Sequence, residues 1–205
     1  MSKLTEQKLI EAPTRSVVMA GVGGQGTILA ANLLANALVA HGYDVKTSEV
    51  HGMAQRGGSV ISMVRFGGAV ASPLVPLGEA DALLGTELLE TLRNLEFLAP
   101  SGKVIASRTR VDPLPVLQGT VQYPVDAEER IMELWPDSII VDAPAVAAEA
   151  GDARAANTVL LGILSPVLPV GVDEWLAVIE RLVKAKAVEA NKNAFLVGRE
   201  FAGKR

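Results

Sequence analysis

The residues able to do chemistry in this chain gather in two glycine-rich stretches. The first, "GVGGQG" at 21–26, sets Gly21, Gly23 and Gly26 in the G-x-G-x-x-G spacing, with Gly24 and Gln25 completing the turn. Glycines there permit a tight turn and close backbone approach, and a helix that follows offers free N–H groups to an anion. Glu49 lies 23 residues beyond Gly26, where a dinucleotide-binding fold places its ribose-binding acid. The second stretch, "HGMAQRGGS" at 51–59, holds His51, Gln55, Arg56, Gly57, Gly58 and Ser59. Arg56 and the Gly57 and Gly58 amides suit a carboxylate or phosphate, and His51 suits acid–base or positioning work. Two other readings stay open: an interface loop capping a partner's cofactor site, and a solvated turn in which Glu49 pairs with Arg56.

Those stretches need elements to hold them. "SVVMAG" at 16–21 reads as a buried strand. "QGTILAANLLANALVAHG" reads as a helix stopped at Gly42 and apolar nearly all round, so it packs on more than one side. "DVKTSEV" and "SVISMVRF" are strands joined by only eight residues, 51–58. A parallel crossover needs about a dozen or more, so the strand near 59–66 is expected to be antiparallel or at an edge. Further on, "ADALLGT", "GKVIAS" and "SIIVDA" read as strands, "ELLETLRNLEFL", "DAEERIMELWP" and "PAVAAEAG" as helices, and "PLPVLQGTVQYP" as a connection containing a short strand. Only helix follows from "RAANTVLLGILS" onward, with Trp175, Ile179, Leu182 and Val183 on one face. The expected fold is α/β: a three-layer, Rossmann-like, mostly parallel sheet with a helical C-terminus. Residues 1–14 form a tail, 15–170 the α/β domain, and 171–205 a helical extension of that domain.

Composition narrows the chemistry. The chain has 205 residues, net charge −4 and no cysteine. That excludes disulfides, thiolate catalysis and a cysteine-ligated iron–sulfur cluster on this chain. Two distant histidines argue against a dedicated zinc site. The lone basic cluster, Arg108–Arg110, reads as a solvated loop, so no nucleic-acid partner is expected. The N-terminus lacks a signal-peptide core and no uncharged run spans a bilayer, so no membrane role and a cytoplasmic location are expected. Hydrophobic residues make up 49% and aromatics 4%, an aliphatic excess that suits burial against another subunit. No serine nucleophile elbow, P-loop lysine or paired-carboxylate motif is present. Asp142, ending a strand, reads as a helix cap before a ligand position.

Taken in order, "GVGGQGTILAANLLANAL", "TSEVHGMAQRGGSVISMVRFG", "GEADALLGTELLETLR", "RAANTVLLGILS" and "NKNAFLVG" resemble the gamma-type subunit of 2-oxoacid:ferredoxin oxidoreductases, nearest to the indolepyruvate type. The resemblance runs from Arg15 to Gly198. It implies the small subunit of a complex that decarboxylates a 2-oxoacid, such as an arylpyruvate, to acyl-CoA, CO2 and reduced ferredoxin. It implies that thiamine diphosphate and the iron–sulfur clusters sit on a larger catalytic subunit, with no cofactor on this chain. Ferredoxin would be met through the complex, and the isolated chain could form a homodimer. The glycine turn, with Arg56, Gly57, Gly58 and Ser59, then becomes a candidate coenzyme A site. The residues leave two alternatives, a free-standing NAD-linked oxidoreductase using Glu49 and a non-enzymatic assembly module.

Overall fold

A computed structural model describes residues 10–52 and 57–203. Six strands form one sheet: β1 (Arg15–Val22), β2 (Asp44–His51), β3 (Ser59–Gly67), β4 (Ala80–Gly85), β5 (Leu98–Ser107) and β6 (Ile139–Val141). Their spatial order is β2-β3-β1-β4-β5-β6. From β1 outward through β4 and β5 to β6 every pairing is parallel. The other side is an antiparallel ladder, β1 with β3 and β3 with β2. The short 51–58 connection is the cause, since it can only turn the chain back on itself. β3 is thus antiparallel but interior, and β2 takes the edge.

Alternation along the strands fills two cores. Val17 and Met19 of β1 point to one face, with Leu84 of β4 and Ile105 of β5. Val18 and Ala20 point to the other, with Leu83 and Val104. The first face carries α1 (Thr27–His41), α5 (Ala143–Glu149), α6 (Ala156–Leu164), α7 (Val172–Leu182) and α8 (Val188–Ala202). The second carries α2 (Leu88–Arg93) and α4 (Ala127–Leu134). Helices on both faces of a central sheet make the three layers.

Helix α1 is apolar all round for two reasons. Ala30, Leu34, Ala37 and Leu38 are buried in the core beneath it, and Leu33 is also buried, with α6 and α7 alongside. Ile28, Leu29 and Val39 remain exposed. Helices α6 and α8 cross at backbone contact. A Cβ on Gly162 would lie 2.2 Å from the Phe195 carbonyl oxygen, and one on Gly198 would lie 2.1 Å from that of Val159. Only glycine fits at either position.

Three segments differ from the sequence-based expectation. The 113–124 connection holds no strand; it forms the one-turn helix α3 (Leu114–Leu117). Its prolines remove the donors a ladder would need. The helix expected to run to Leu98 ends at Arg93, capped at Asn94, and a single 3-10 turn delivers Leu98 into β5. The C-terminal helical run breaks at Val183, whose backbone is extended, before α8 begins. No helix among the described residues is long and apolar enough to cross a membrane.

Candidate functional site

The glycine turn joins the carboxyl end of β1 to α1, beside the end of β4. Gly21 is where the chains come closest: a Cβ there would lie 1.9 Å from the Thr86 hydroxyl oxygen. Gly24 and Gly26 have φ of 99° and 80°, the left-handed backbone that glycine adopts without penalty. Gln25 does not face the solvent as a ligand side chain. Its Oε1 accepts from the Val22 N–H at 2.8 Å and from the Thr86 hydroxyl at 2.8 Å. Its Nε2 donates to the Thr86 carbonyl at 3.3 Å. Gln25 is therefore the internal brace of the turn, tying β1 to β4. Asn157 of α6 donates to the Gln25 carbonyl at 2.8 Å and holds the turn from the other side.

The two glycine stretches meet. The Gly23 N–H donates to the Gly58 carbonyl at 2.8 Å, and the Gly57 N–H donates to the Gly23 carbonyl at 3.3 Å. Ser59, next in the chain, donates from its hydroxyl to Glu90 of α2 at 2.6 Å. Arg93 donates to the other Glu90 oxygen at 2.8 Å. Gly57, Gly58 and Ser59 are thus part of the turn's scaffold. Gln55 and Arg56 lie outside the described residues.

Between turn and loop opens a cleft of about 570 Å³, lined by Gly23, Gly24, Gly26, Thr27, His51 and Val60 among others. It is floored by the start of α1. The helix has no side-chain cap at Gly26, and its first-turn amides have no intrahelical partner. Thr27 is 3% exposed, and its hydroxyl makes no hydrogen bond. A buried hydroxyl without a partner is costly. Here it stands beside free amides and the positive end of a helix dipole. Amides, dipole and hydroxyl together suit an anion with several acceptor oxygens.

His51 reaches this cleft from the end of β2, with its ring 4.0 Å from Glu49. Glu49 pairs in register with Ser62 of β3. The interposed β3 puts β2 two strands from β1, about 10 Å at usual spacing. Glu49 therefore stands one strand farther from the glycine turn than the ribose acid of a dinucleotide fold, which lies on the strand next to it.

Sequence reading missed a second polar cluster on the other face. Glu87, 1% exposed, caps α2 by accepting from the Glu90 N–H at 2.8 Å. Its other oxygen accepts from the Tyr123 hydroxyl at 2.5 Å and the Val111 N–H at 3.2 Å. Burial, together with the adjacent Glu87 carboxylate, pushes the Tyr123 phenol well above its ordinary value. The available signal was an acid three residues before Glu90 at a helix start, "ELLE". Asp142 is a cap, accepting from the Ala145 N–H at 3.0 Å. The basic cluster is spent on neighbours. Arg108 binds Glu128 with a closest approach of 2.7 Å, while Arg110 binds Asp112 at 2.6 Å and lies over the Tyr123 ring.

Residues 16–201 match the family model described as pyruvate ferredoxin/flavodoxin oxidoreductase. The chain is 40% identical over 188 residues to indolepyruvate oxidoreductase subunit IorB of Pyrococcus horikoshii, covering 89% of this chain and 93% of that one. The same subunit of Archaeoglobus fulgidus is 38% identical, covering 89% and 92%. Among solved structures, the gamma subunit of a keto/oxoacid ferredoxin oxidoreductase from Geobacter sulfurreducens matches with TM-score 0.67 and 22% identity, covering 93% of this chain and 99% of that one. A 2-oxoglutarate:ferredoxin oxidoreductase from Magnetococcus marinus, solved with 2-oxoglutarate, coenzyme A and succinyl-CoA bound, matches with TM-score 0.69 and 18% identity. That match covers 95% of this chain but 32% of the longer one.

Proposed function

The chain belongs to the pyruvate ferredoxin/flavodoxin oxidoreductase family, and on that footing we propose that it is the small subunit of an indolepyruvate-type 2-oxoacid:ferredoxin oxidoreductase. A larger catalytic subunit completes the complex. The reaction joins the acyl group of a 2-oxoacid to coenzyme A, releases CO2 and passes the electrons to ferredoxin. Thiamine diphosphate and iron–sulfur clusters belong to the larger subunit in this reading, because a chain without cysteine cannot offer cluster thiolates.

This chain's own part is to hold coenzyme A. The observation that carries this is the unpaired Thr27 hydroxyl beside the open amides of α1, in a cleft walled by the glycine turn. The diphosphate of coenzyme A has the charge and acceptor oxygens for that site. Gly23, Gly24 and Gly26 give it backbone to approach, Gln25 braces the turn, and Gly57, Gly58 and Ser59 fix the opposite wall. His51 is proposed as a positioning residue at the cleft, with Glu49 beside it, and Arg56 as a further positioning residue. The Magnetococcus enzyme, whose structure holds coenzyme A, shares this fold and lends the reading support.

The test is co-expression with the larger subunit. The expected product is a brown complex containing thiamine diphosphate, iron and sulfide, active with an arylpyruvate, coenzyme A and an electron acceptor. Gly24→Asp, which places a carboxylate at the turn, raises the KM for coenzyme A at least tenfold with thiamine content unchanged. A colourless chain that binds NADH tightly by itself, or unaltered coenzyme A kinetics in Gly24→Asp, would overturn the reading.

A further inference from the structure

The two edges of the sheet are guarded unequally. β6 closes one side with three residues, Ile139–Val141. β2 closes the other with eight, Asp44–His51, and pairs with β3 along its whole length without a register shift. Short strands, prolines, bulges and covering segments are the usual guards of an edge. β2 contains neither proline nor glycine, and among the described residues no strand pairs with its outer side.

The groups on that outer side can be named. The Gly52 N–H donates to the Ser59 carbonyl at 2.9 Å, and this pair continues the ladder that sets His51 opposite Val60. Hydrogen-bonded and non-hydrogen-bonded pairs alternate along an antiparallel ladder. Even-numbered residues of β2 therefore bond to β3, and Val45, Thr47, Glu49 and His51 turn their N–H and C=O groups outward. The side chains of these four lie on the α1 face, where Val45 packs against the core. Lys46, Ser48 and Val50 lie on the other face. Val50 is 49% exposed, opposite Ile61 of β3. The strand ends at His51, which lines the glycine-turn cleft together with Gly52. Any chain that pairs along the full length of β2 therefore also borders the cleft.

A second copy of this chain fits the edge badly. A two-fold axis normal to the sheet keeps each face on its own side, so it sets odd residues against odd and even against even. The registers that overlap most of the strand are centred on Lys46, Thr47, Ser48 or Glu49. Centring on Lys46 or on Glu49 sets that charge directly against its own copy. Centring on Thr47 sets Val45 against Glu49 and Asp44 against Val50, and centring on Ser48 sets Val50 against Lys46. Like charges directly opposite destabilise a strand pair, and a valine facing a charge loses the apolar pairing that stabilises one. A strand of different sequence is free of this constraint. We propose that β2 is the docking edge for an extended segment of the larger catalytic subunit, which adds a strand to the sheet with an apolar residue beside Val50 and a cationic one beside Glu49. The proposal rests on the reading that such a subunit completes the complex. Main-chain hydrogen bonds to Val45, Thr47, Glu49 and His51 fix its register, and its path along β2 brings the larger subunit to the cleft.

The test reads amide hydrogen exchange residue by residue, in the full chain alone and in its co-expressed complex with the larger subunit. In the chain alone, the Lys46, Ser48 and Val50 amides should be protected by β3, and the Val45, Thr47, Glu49 and His51 amides should exchange freely. In the complex these four should slow by about tenfold or more. Thr47→Pro gives a second readout. Thr47 is exposed and its N–H points outward, so proline leaves the β3 ladder whole, as edge strands allow. It should weaken binding of the larger subunit about tenfold through one lost hydrogen bond and the bulk of the ring. Thr47→Val, which keeps the N–H, should bind as wild type does. Unchanged exchange at the four outward amides, or undiminished binding by a folded Thr47→Pro chain, overturns the docking edge while the complex itself upholds the small-subunit reading. Slow exchange of those amides already in the chain alone also overturns it, because this chain or a second copy then holds the edge. If the wild-type chain forms no complex at all, the small-subunit reading falls and the docking edge with it. The exchange pattern decides the matter even where Thr47→Pro does not fold.

Discussion

On one face of the sheet, at the carboxyl ends of β1 and β4, the glycine turn leaves amides and a hydroxyl without partners. On the other face, a few residues along the same chain, Glu87, Glu90 and Tyr123 are equally buried and fully bonded. Thr86 stands between them, bonded to Gln25 on one side and followed directly by Glu87 on the other. Both sets of side chains are buried, but their bonding differs. A buried carboxylate with three protein donors has been used to fasten α2 and the 108–123 connection to the sheet. The buried Thr27 hydroxyl has no protein donor or acceptor at all. Unpaired buried atoms also occur in the scaffold, at Ser62, Arg65 and Trp175, so what sets the candidate site apart is the conjunction of such an atom with the open amides of α1 at one cleft.

The comparison breaks most visibly at Glu87. Glu87→Ala removes the acceptor for the Glu90 N–H, the Val111 N–H and the Tyr123 hydroxyl together. Buried donors without partners cost roughly 1–3 kcal/mol each, so urea unfolding should show a loss of about 3 kcal/mol or more. A loss under 1 kcal/mol would mean that water replaces the carboxylate and that the cluster is not closed. Gly21→Ala comes next. Its methyl would meet the Thr86 hydroxyl, and overpacking costs about 1–3 kcal/mol. Adding Thr86→Ala removes the clash, so the double variant should be more stable than the sum of the single changes predicts. Additive losses would place the strain elsewhere in the turn.

Thr27→Val sharpens the contrast because stability and function should move in opposite directions. Removing a buried, unpaired hydroxyl should stabilise the unliganded chain by about 1 kcal/mol, read as a rise in Tm. The same change should weaken coenzyme A, because the hydroxyl is then missing where an acceptor oxygen would lie. A structural hydroxyl would give the reverse, a lower Tm with kinetics unchanged.

Much of this arrangement was legible in the sequence, for physical reasons that differ by region. Strand alternation and the glycine stop at Gly42 are local signals, so the layers and α1 could be read directly. The eight-residue connection at 51–58 fixed the antiparallel pairing of β3 by length alone. The docking of Gly57–Gly58 onto Gly23 was suspected only as proximity, since backbone hydrogen bonds between distant loops leave no mark on residue type. Gln25 was grouped with the ligand-facing turn, but its amide folds inward to Thr86, a partner 61 residues away. Thr27 is one of the few polar residues on the apolar helix α1. Its significance lies in having no partner, a property that only the packed structure reveals. The helix–cap role of Asp142 was legible because a cap needs only its own next turn.

The smallest effect contrasts Glu87 with a carboxylate on the rim of the same face. Glu128, in the first turn of α4, accepts a forked hydrogen bond from the half-exposed Arg108 guanidinium. That bond, partly offset by burial, lowers the Glu128 pKa below its ordinary 4.5. A carboxylate that titrates lower in the folded chain than in the unfolded one stabilises the fold above the unfolded value. The contribution is lost as pH falls through the lowered folded value. Between pH 6 and about 4.5 the pair should therefore contribute in full, and below that stability should decline. Because the pair faces solvent, its worth is under about 1 kcal/mol and shrinks with salt. Glu128→Gln should flatten this part of the acid limb of a stability–pH profile. Arg108→Gln should reduce it without abolishing it, since the N-terminus of α4 still favours a charged Glu128. Equal slopes in wild type and Glu128→Gln would show that the rim pair adds nothing.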